Sequence, residues 1–477
     1  MDTIKESVLL DGKKVSATVS VSGLLQWESE TLGWHENAKG AVDLREDVIG
    51  YSVGSSSIVI HTFVQKAVKC WENSKRVERD ITLVFNSPDS QQEWCNVLQR
   101  FYRNAGRPKR LFVLVNPFGG KNKALNVYHK TVEPLFKKAG IDVTIRETQF
   151  HRHAKELAKS LVLSEYDGVV CVSGDGVLTE VLNGLLERPD WEQAIKMPLG
   201  IIPAGTGNGM AKSLLEAGSE YYNQANAAFA IIRGCKQPLD IASVVQGHVK
   251  CHSMLMLSWG FVADVDFESE KIRSLGSLRI DLWAVIRVLW LREYSGSLAY
   301  LPATESDIVG ERLSSQEQSL LEKSGDSDRD TDYRKESNWR TLEGKFIYIW
   351  AQNVPYAAED VIAAPRAKFN DGSFDLIVIR QCPRLKLVSI LLNMKNGSHI
   401  KSKYVQYLKV KAFRLTPGGI VGDSIEGGYV DLDGEVLARG QGAYGDGSRD
   451  PMHYGPAIDV NVEKGLATIF APARCIE

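Results

Sequence analysis

The sequence predicts a mixed fold, in which an α/β region with a parallel sheet stands between two β-rich regions. Three observations support this fold class. Residues 1–107 hold short β-type runs such as SSIVIHTFV, separated by polar turns. Residues 108–240 alternate apolar runs with segments of helical spacing, which is typical of a parallel sheet covered by helices on both faces. In residues 241–477 β-type runs such as KCHSMLMLSWGFVAD, FDLIVIR and YLKVKAFRLT dominate, which predicts an antiparallel, sandwich-like domain.

Composition limits the classes of protein to consider. A chain of 477 residues is too long for one ordinary core, so two or three domains are expected. The formal net charge of -2 lacks the basic excess typical of nucleic-acid binding. The seven cysteines form no CxxC pair, which argues against a zinc site or a disulfide framework and favours a reducing, cytoplasmic compartment. The start MDTIKESVLLDGKK has no signal-peptide pattern, and the most apolar run, LWAVIRVLWL, is half the ~20 residues of a membrane span.

The first region ends in a predicted helix. The segment SPDSQQEWCNVLQRFYR, residues 87–103, offers Ser87 or Asp89 as the N-cap. The apolar stripe of this helix consists of Trp94, Val97, Leu98 and Phe101. Several strands closed by one C-terminal helix with a central tryptophan resemble a pleckstrin-homology domain. Such a module would dock on membranes or phosphoinositides, or it would pack against and support the neighbouring domain, and the residues leave both functions open.

Three glycine-bearing loops in the α/β region each follow a predicted strand and precede a predicted helix. They are NPFGGKN (116–122), SGDGV (173–177) and PAGTGNG (203–209). Glycine lets the backbone approach a ligand closely, and a helix start presents unpaired N–H groups, so each loop suits a phosphate. The third loop, GTGNGM, fails the dinucleotide pattern GxGxxG because Met210 holds its last position, and the pattern GxxxxGK[ST] does not occur in the chain. Ligands collect at the carboxyl ends of parallel strands, so the three loops together predict a phosphate or nucleotide site rather than ordinary turns.

Asp175 lies between Gly174 and Gly176, directly after the apolar run GVVCVS. At the carboxyl edge of the sheet, beside the phosphate loops, its carboxylate would accept a hydroxyl proton during phosphoryl transfer. The alternative is a turn aspartate that bonds to its own backbone. The two neighbouring loops favour the general base.

Five ordered motifs resemble one family of enzymes. They are NPFGGKN, SGDGVLTEVLNG, PAGTGNG, SWGFVADVDFESEKIRSLGSLR (258–279) and DGE (433–435). Together they are similar to the diacylglycerol-kinase-type lipid kinases, and the ADVDFESEK and RxLGxxR elements point to the sphingosine (long-chain base) kinases among them. The resemblance covers 110–301 and 343–477. It implies an α/β nucleotide-binding domain and a β-rich lipid domain, with the active site in a cleft between them and the C-terminal segment returning toward the first.

The resemblance assigns roles by position. Asp175 takes the place of the catalytic base, which deprotonates the primary hydroxyl of a sphingoid base for attack on the γ-phosphate of ATP. Asp266 takes the place of the residue that holds the polar head of the lipid, and a carboxylate suits an ammonium group and hydroxyls. The positions that match nucleotide contacts are Asn116, Pro117, Phe118 (where some relatives have arginine), Gly119, Gly120, Thr148, Ser173, Gly174, Glu180, Gly205, Thr206, Gly207, Arg273, Arg279, Asp433, Gly434 and Glu435. Mg²⁺ is expected with ATP, without assigned protein ligands.

Two other functions compete with a sphingoid base kinase. A ceramide kinase or diacylglycerol kinase would share such a core. Asp266 argues against the ceramide kinase, because a carboxylate suits a free amine better than an acylated one. A membrane-lipid-binding regulator without activity is the alternative of another class, and the intact Asp175 argues against it. No nucleic-acid partner is expected, peripheral membrane association is expected, and a homodimer is left open.

Two apolar segments and one polar segment complete the sequence-based expectations. The runs LWAVIRVLWL and LVSILLNM predict helices that cover a lipid-tail cavity and enter a bilayer interface, or that pack in the core. The stretch 303–341 is dense in charge and poor in large apolar residues, which predicts a disordered insertion.

Overall fold

The chain folds into two compact units. The computed structural model describes residues 3–20, 22–29, 39–65, 75–119, 123–276, 278–303, 338–422, 427–439 and 457–473. The first unit consists of Met1–Gln237 and Thr468–Glu477, and the second of Pro238–Ala467. The N-terminal β-rich region and the α/β region thus belong to one unit, together with the last residues of the chain.

The N-terminal part of the first unit is an antiparallel sheet closed by a helix. Among the described residues the sheet has seven strands in the order β4-β3-β2-β1-β7-β6-β5. The strands are β1 (Thr3–Leu10), β2 (Lys13–Ser20), β3 (Leu24–Ser29), β4 (Gly40–Asp43), β5 (Val48–Val53), β6 (Ser57–Gln65) and β7 (Arg76–Val84). Helix α1 (Pro88–Asn104) follows the last strand.

Helix α1 begins where its capping residues predict. The Ser87 side chain accepts a hydrogen bond from the N–H of Asp89 at 3.2 Å, and Pro88 occupies the first helical position, where no N–H is needed. The predicted stripe lies in the core between helix and sheet, since Trp94, Val97, Leu98 and Phe101 are all buried there. The sequence-based prediction of this helix and of its buried face is confirmed.

The second part of the first unit is a parallel sheet flanked by helices. Its strands are β8 (Arg110–Val115), β9 (Asp142–Glu147), β10 (Gly168–Ser173) and β11 (Leu199–Pro203), in the order β11-β10-β8-β9. The helices are α2 (Ala124–Val127), α3 (Glu133–Lys138), α4 (His153–Lys159), α5 (Asp175–Leu186), α6 (Trp191–Ala194), α7 (Gly209–Ala217) and α8 (Gln224–Arg233), with a π-helical turn (Tyr128–Val132) between α2 and α3. Every residue of β10 and β11 is buried, which is the burial expected of central parallel strands.

The second unit is mainly antiparallel. Its strands are β12 (Lys236–Gln246), β13 (Val249–Ser253), β14 (Met256–Gly260), β15 (Tyr294–Pro302), β16 (Arg340–Phe346), β17 (Tyr348–Gln352), β18 (Tyr356–Ala358), β19 (Val361–Ile362), β20 (Phe374–Ile379), β21 (Gln406–Ile420), β22 (Tyr429–Leu432), β23 (Glu435–Arg439) and β24 (Ile458–Phe470). The main path of pairing is β23-β22-β14-β17-β20-β21-β24. One aromatic-rich core lies on one face of these strands and contains Trp259, Tyr294, Phe346, Phe374 and Phe413. The end of β24 belongs to the first unit, where Ile469 pairs with Leu199 of β11.

Three helices contribute to a second core of this unit. They are α9 (Phe261–Ser269), α10 (Leu278–Leu289) and α11 (Arg384–Asn393). Phe261, Val288 and Leu387, one from each helix, pack with strand residues such as Tyr348 and Ile377. Within the described parts of the chain, no helix combines the length and the apolar character that crossing a bilayer requires.

One element of the sequence-based interpretation is wrong. The segment SWGFVAD was assigned to a β-type run, whereas β14 ends at Gly260 and α9 begins at Phe261. Gly260 has a φ of 84°, and a Cβ there would lie 2.5 Å from the carbonyl oxygen of Ile347, so the turn requires glycine. This turn sends the chain directly from the sheet into α9. The predicted insertion 303–341 lies almost entirely outside the described residues.

Candidate active site

Two of the three glycine loops meet at the carboxyl edge of the parallel sheet. Strands β10 and β11 pair in parallel up to Ser173 and Pro203, so the loops that follow them start side by side. A Cβ on Gly205 would lie 2.3 Å from the Cα of Gly174, and a Cβ on Gly174 would lie 2.9 Å from the carbonyl oxygen of Gly207. The two loops therefore touch through bare backbone, a spacing that side chains at these positions would prevent.

The carboxylate of Asp175 links the second loop to the helix after the third. Asp175 is the first residue of α5 and is 5% exposed. Its Oδ2 accepts a hydrogen bond from the N–H of Gly209 at 2.7 Å, and its Oδ1 accepts one from the N–H of Met210 at 3.2 Å. These N–H groups belong to the first turn of α7, whose positive dipole end stabilises an anion. Both oxygens of the carboxylate are thus held by the start of α7.

Asn208 fixes the shape of the third loop. Its side-chain oxygen accepts a bond from the N–H of Gly205 at 3.2 Å, and its amide nitrogen donates to the carbonyl oxygen of Gly205 at 3.0 Å. Thr206 and Gly207, between these residues, are exposed to solvent. Asn208 thus closes the loop from within, while its tip stays open to a ligand. The sequence reasoning missed Asn208, although an asparagine beside glycines is a known signal of such side-chain-to-backbone turns.

The first glycine loop starts beside the second, because β8 pairs in parallel with β10. The N–H of Asn116 donates to the carbonyl oxygen of Val172 at 3.3 Å, and its side chain accepts from the N–H of Phe118 at 3.0 Å. Phe118 is 63% exposed. Pro117 and Gly119 lie in the same turn, whereas Gly120 lies outside the described residues.

Two further candidates lie along the same strand ends. Thr148, directly after β9, is buried, and its N–H donates to the carbonyl oxygen of Val115 at 2.9 Å. Ser173 is fully buried, and its hydroxyl donates to the carbonyl oxygen of Gly174 at 2.9 Å. Ser173 therefore stabilises the backbone of the second loop in this structure.

The side chain of Glu180 forms hydrogen bonds with backbone N–H groups. Its two carboxylate oxygens accept hydrogen bonds from the N–H groups of Arg152 and Ala154, each at 3.1 Å. These donors lie at the start of α4, where the backbone of Arg152 has a left-handed φ of 67°. Glu180 therefore holds the segment that leads from Thr148 into α4, and its effect on a nucleotide would act through that segment.

The second unit carries the candidate lipid-head residue. Asp266 lies in α9, directly after the Gly260 turn, and is half-buried. Burial raises the pKa of Asp266 to about 6, the guanidinium of Arg279 opposes this rise, and Glu270 and Glu435 add to it. Because burial disfavours the charged form of this carboxylate, a cationic ligand would favour that form.

The DGE turn divides into a buried and an exposed part. Asp433 is 3% exposed and has a left-handed φ of 52°. Its carboxylate accepts bonds from the Ser253 hydroxyl and from the N–H groups of Met254, Leu255 and Met256, at 2.6 to 3.1 Å. Gly434 and Glu435, by contrast, are exposed. Asp433 thus holds the β13–β14 connection in place, whereas Glu435 is the acidic member of the turn that lies at the surface.

Arg279 and Arg273 complete the candidates of the second unit. The guanidinium of Arg279, which is buried, forms an ion pair with Glu270. Arg273 lies in the 3₁₀ segment Glu270–Leu275, and its side chain lies outside the described residues. The described residues contain no group of three or more histidine, cysteine, aspartate or glutamate side chains that could hold a metal ion.

The fold and these loops have counterparts among known proteins. Residues 110–244 match the diacylglycerol kinase catalytic domain, and residues 329–442 match the YegS C-terminal NAD kinase beta sandwich-like domain. The crystal structure of a diacylglycerol kinase from Bacillus anthracis str. Sterne shares the fold at a TM-score of 0.50 and 19% identity, covering 76% of this chain and 97% of that one. The fold and the family models together define a kinase of the diacylglycerol kinase type.

Full-length relatives narrow this class. Sphingosine kinase 2 of Arabidopsis thaliana is 42% identical over 99% of this chain and 98% of its own length. Sphingosine kinase 1 of the same plant is 40% identical over 98% of this chain and 96% of its own length. Sphingosine kinase 1 of Homo sapiens is 37% identical over 65% of this chain and 83% of its own length. The chain belongs to the sphingosine kinase family, as its motifs predicted.

Proposed function

We propose that this protein transfers the γ-phosphate of ATP to the primary hydroxyl of a sphingoid long-chain base, giving the sphingoid base 1-phosphate. The observation that carries the proposal is the junction of the second and third glycine loops, with Asp175 between them. The loops present backbone N–H groups to phosphate, and the carboxylate supplies an acceptor for the hydroxyl proton. The family membership supports the same reaction.

Each group has a defined part in the reaction. The exposed tip of the third loop, at Thr206 and Gly207, and the first loop at Asn116 bind the phosphates of ATP. Asp175 accepts the proton of the attacking hydroxyl, whose oxygen forms the new bond to the γ-phosphorus while the bond to ADP breaks. Asp266 pairs with the ammonium group of the lipid and so orients its primary hydroxyl.

A magnesium ion would accompany ATP. The described residues offer no cluster of protein ligands, so the ion would be held mainly by phosphate oxygens and water, with at most one or two carboxylates. Bound there, it would neutralise charge on the transferred phosphate. The protein's own contribution is the positioning of the phosphates and of the hydroxyl.

Peripheral membrane association is supported by two apolar helix faces of the second unit. On α10, Leu278, Leu282, Val285 and Leu289 are between 46% and 66% exposed. On α11, Leu385 is 85% and Leu392 is 62% exposed. Both helices bury their opposite faces in the protein, so these side chains present an apolar surface suited to a bilayer interface, from which a sphingoid base would be taken.

The N-terminal sheet and α1 are best explained as a pleckstrin-homology-like module with a supporting function. The module packs on the α/β part of the same unit through buried contacts, such as the ring of Phe63 against that of Phe229, whose centroids lie 5.3 Å apart. No lipid site on the module is required for the kinase reaction. Vesicle binding by the isolated second unit and by the full chain would separate the two sources of membrane affinity.

A lipid panel with labelled ATP tests the proposed reaction. The purified full chain is expected to phosphorylate sphingosine far faster than ceramide or diacylglycerol, because only the free base carries the ammonium group that Asp266 binds. Asp175→Asn is expected to lower kcat by roughly 10²–10⁴-fold, the usual contribution of a general base. Preference for a neutral lipid would refute the substrate class, and unchanged kcat in the variant would refute the role of Asp175.

A further inference from the structure

A second carboxylate lies on the sheet face that carries α9. Asp431 in β22 stands opposite Ser258 in β14. Successive side chains of a strand point to opposite faces. The neighbours of these two residues face the aromatic-rich core, and they are Leu257, Trp259, Val430 and Leu432. Asp431 and Ser258 therefore point to the other face, where α9 packs on both strands and carries Asp266.

Two polar atoms on this face lack hydrogen-bond partners. Asp431 is 3% exposed, and its Oδ2 has no hydrogen-bond partner; the hydroxyl of Ser258, which is fully buried, has none either. The N–H of Gly434 supplies a bond to the Asp431 carboxylate. Opposed residues of an antiparallel pair have Cβ atoms about 4.5–5.5 Å apart, so the two unpartnered groups form one polar spot. An unpaired buried carboxylate is costly, and such a cost is typical of a group reserved for a ligand.

The charges around Asp431 are almost all negative. Burial raises its pKa, and the carboxylates of Asp266, Asp433 and Glu435 raise it further. The guanidinium of Arg279 lowers the pKa of Asp266, and the carboxylate of Glu270 raises it. Asp433 is occupied by backbone N–H groups, and no described group of side chains has the arrangement of a metal site. A small organic cation is therefore the ligand chemistry that fits this position.

We propose that Asp431 acts with Asp266 as a two-carboxylate site for the ammonium group of the lipid substrate. The inference rests on the proposed function and assigns to Asp431 the discrimination between a free amine and an N-acylated, neutral head. A single carboxylate would already attract a cation. A second one, buried and with one oxygen unpartnered, penalises any ligand that brings no positive charge, and this penalty is what produces specificity.

The test compares Asp431→Asn with the unaltered full chain on two matched lipids, sphingosine and N-acetylsphingosine, which differ in the charge of the head group. For the variant, KM for sphingosine is expected to rise roughly tenfold, because charge-assisted bonds are about twice as strong as neutral ones. The kcat/KM ratio of sphingosine over N-acetylsphingosine is expected to fall by a similar factor, while KM for ATP stays unchanged. This ratio does not depend on the folded fraction, so a poorly folding variant remains informative.

Thermal melting separates this role from a structural one. Because one oxygen of the Asp431 carboxylate has no partner, removal of its charge is expected to leave the melting temperature unchanged or to raise it. Asp375→Asn is the matched control: Asp375 is also fully buried in the second unit, but it is paired with Lys409 at 3.1 Å and with the Tyr407 hydroxyl at 2.8 Å. The control is expected to melt at a lower temperature than the unaltered chain. Its kcat/KM ratio of sphingosine over N-acetylsphingosine is expected to stay unchanged.

Two results would overturn the inference in distinguishable ways. If the unaltered chain phosphorylates sphingosine but Asp431→Asn keeps the same substrate ratio, the inference is wrong and the proposed function stands. If the unaltered chain favours N-acetylsphingosine, both are wrong. A variant that melts at a lower temperature with an unchanged ratio identifies Asp431 as a structural carboxylate.

Discussion

The N–H of Gly209 donates a 2.7 Å hydrogen bond to the carboxylate of Asp175, which ties the first turn of α7 to the first residue of α5. The two residues follow different strands of the parallel sheet. The bond therefore fixes the distance between two phosphate loops as well as the direction of the carboxylate. Any disturbance of this junction is expected to affect ATP binding and proton transfer together.

Substitution of Gly205 tests the close approach of these loops. A Cβ at this position would lie 2.3 Å from the Cα of Gly174, and neither backbone can yield without displacing Asp175. Gly205→Ala is expected to raise KM for ATP and to lower kcat, as measured by steady-state kinetics.

Gly176→Ala is the matched control for the glycine loops. Gly176 lies in the first turn of α5, and nothing stands within 4 Å of a Cβ there. Alanine favours a helix over glycine by about 1 kcal/mol, so this variant is expected to melt at the same or a higher temperature. Equal kinetic effects of the two substitutions would show that the contact between Gly205 and Gly174 has no special importance.

The variant Glu180→Gln tests a residue that influences the nucleotide site through its bonds to backbone N–H groups. The glutamine has one acceptor oxygen where the carboxylate has two, so one of the N–H groups of Arg152 and Ala154 loses its partner, at a cost of about 1–3 kcal/mol. KM for ATP is expected to rise by more than kcat falls, because the segment after Thr148 loosens while Asp175 stays in place.

Glu187, at the end of the same helix, provides the comparison. Its carboxylate pairs with Lys155 and Lys159 at the surface, and such pairs contribute about 0–1 kcal/mol. Glu187→Gln is expected to leave both kinetic constants unchanged. If Glu180→Gln behaves in the same way, the backbone bonds of Glu180 do not control the nucleotide site.

These residues show how far the sequence predicts the site. Strand-loop-helix order and glycine positions are local, so the loops and Asp175 were visible in the sequence. The partners of Glu180 and Asp433 are set by tertiary packing, and no local pattern states whether such a carboxylate meets a ligand or backbone N–H groups. Family resemblance placed Glu180 and Asp433 among nucleotide contacts, whereas the structure shows each bonded to N–H groups of its own chain.

The start of α9 was missed for a related reason. SWGFVAD has the apolar character of a strand, and the turn at Gly260 depends on the backbone of Ile347, almost ninety residues further along the chain. Asp431 was missed because the role that we propose for it depends on the helix α9, which packs on the same face of the sheet. By contrast, the cap and the buried stripe of α1 depend on neighbouring residues alone, and both could be predicted.

The raised pKa of Asp266 predicts a pH dependence. Burial moves this pKa from 3.8 to about 6, so the carboxyl group is protonated below pH ~6 and cannot pair with an ammonium group. The kcat/KM for sphingosine is expected to fall as the pH drops through this value, and Asp266→Asn is expected to remove the step and to leave a low, flat profile. The pH profile of kcat/KM for ATP, measured at saturating lipid, should lack this step.

The raised pKa of Asp266 also makes the stability of the fold depend on pH, in the direction opposite to that of the activity. Because the folded pKa lies above the unfolded one, the group stabilises the fold below pH 3.8, and this contribution is lost as the pH rises through 6. The melting temperature of the unliganded chain relative to that of Asp266→Asn should therefore be higher at pH 4 than at pH 7. A difference that is independent of pH would contradict the raised pKa.

The N-terminal module is held to the α/β part by a buried ion cluster. The carboxylate of Glu220 forms ion pairs with Arg76 at 2.7 Å and with Arg233 at 3.2 Å. All three side chains are at most 5% exposed. Both guanidinium groups also lie over the ring of Phe229, at 4.9 and 5.6 Å. Glu46 pairs with Arg233 from the N-terminal side at 2.8 Å.

Glu220→Gln leaves two buried guanidinium groups without their shared carboxylate. Breaking a buried pair in this way costs about 3–5 kcal/mol, so the variant is expected to melt at a clearly lower temperature and to be cleaved by protease between the N-terminal sheet and β8. Glu78→Gln is the control, since Glu78 pairs with Lys138 at 2.6 Å where both side chains are partly exposed, and its loss should cost no more than about 1 kcal/mol. If both variants melt alike, the module is held by its apolar contacts, and the buried ions set only the orientation in which it packs.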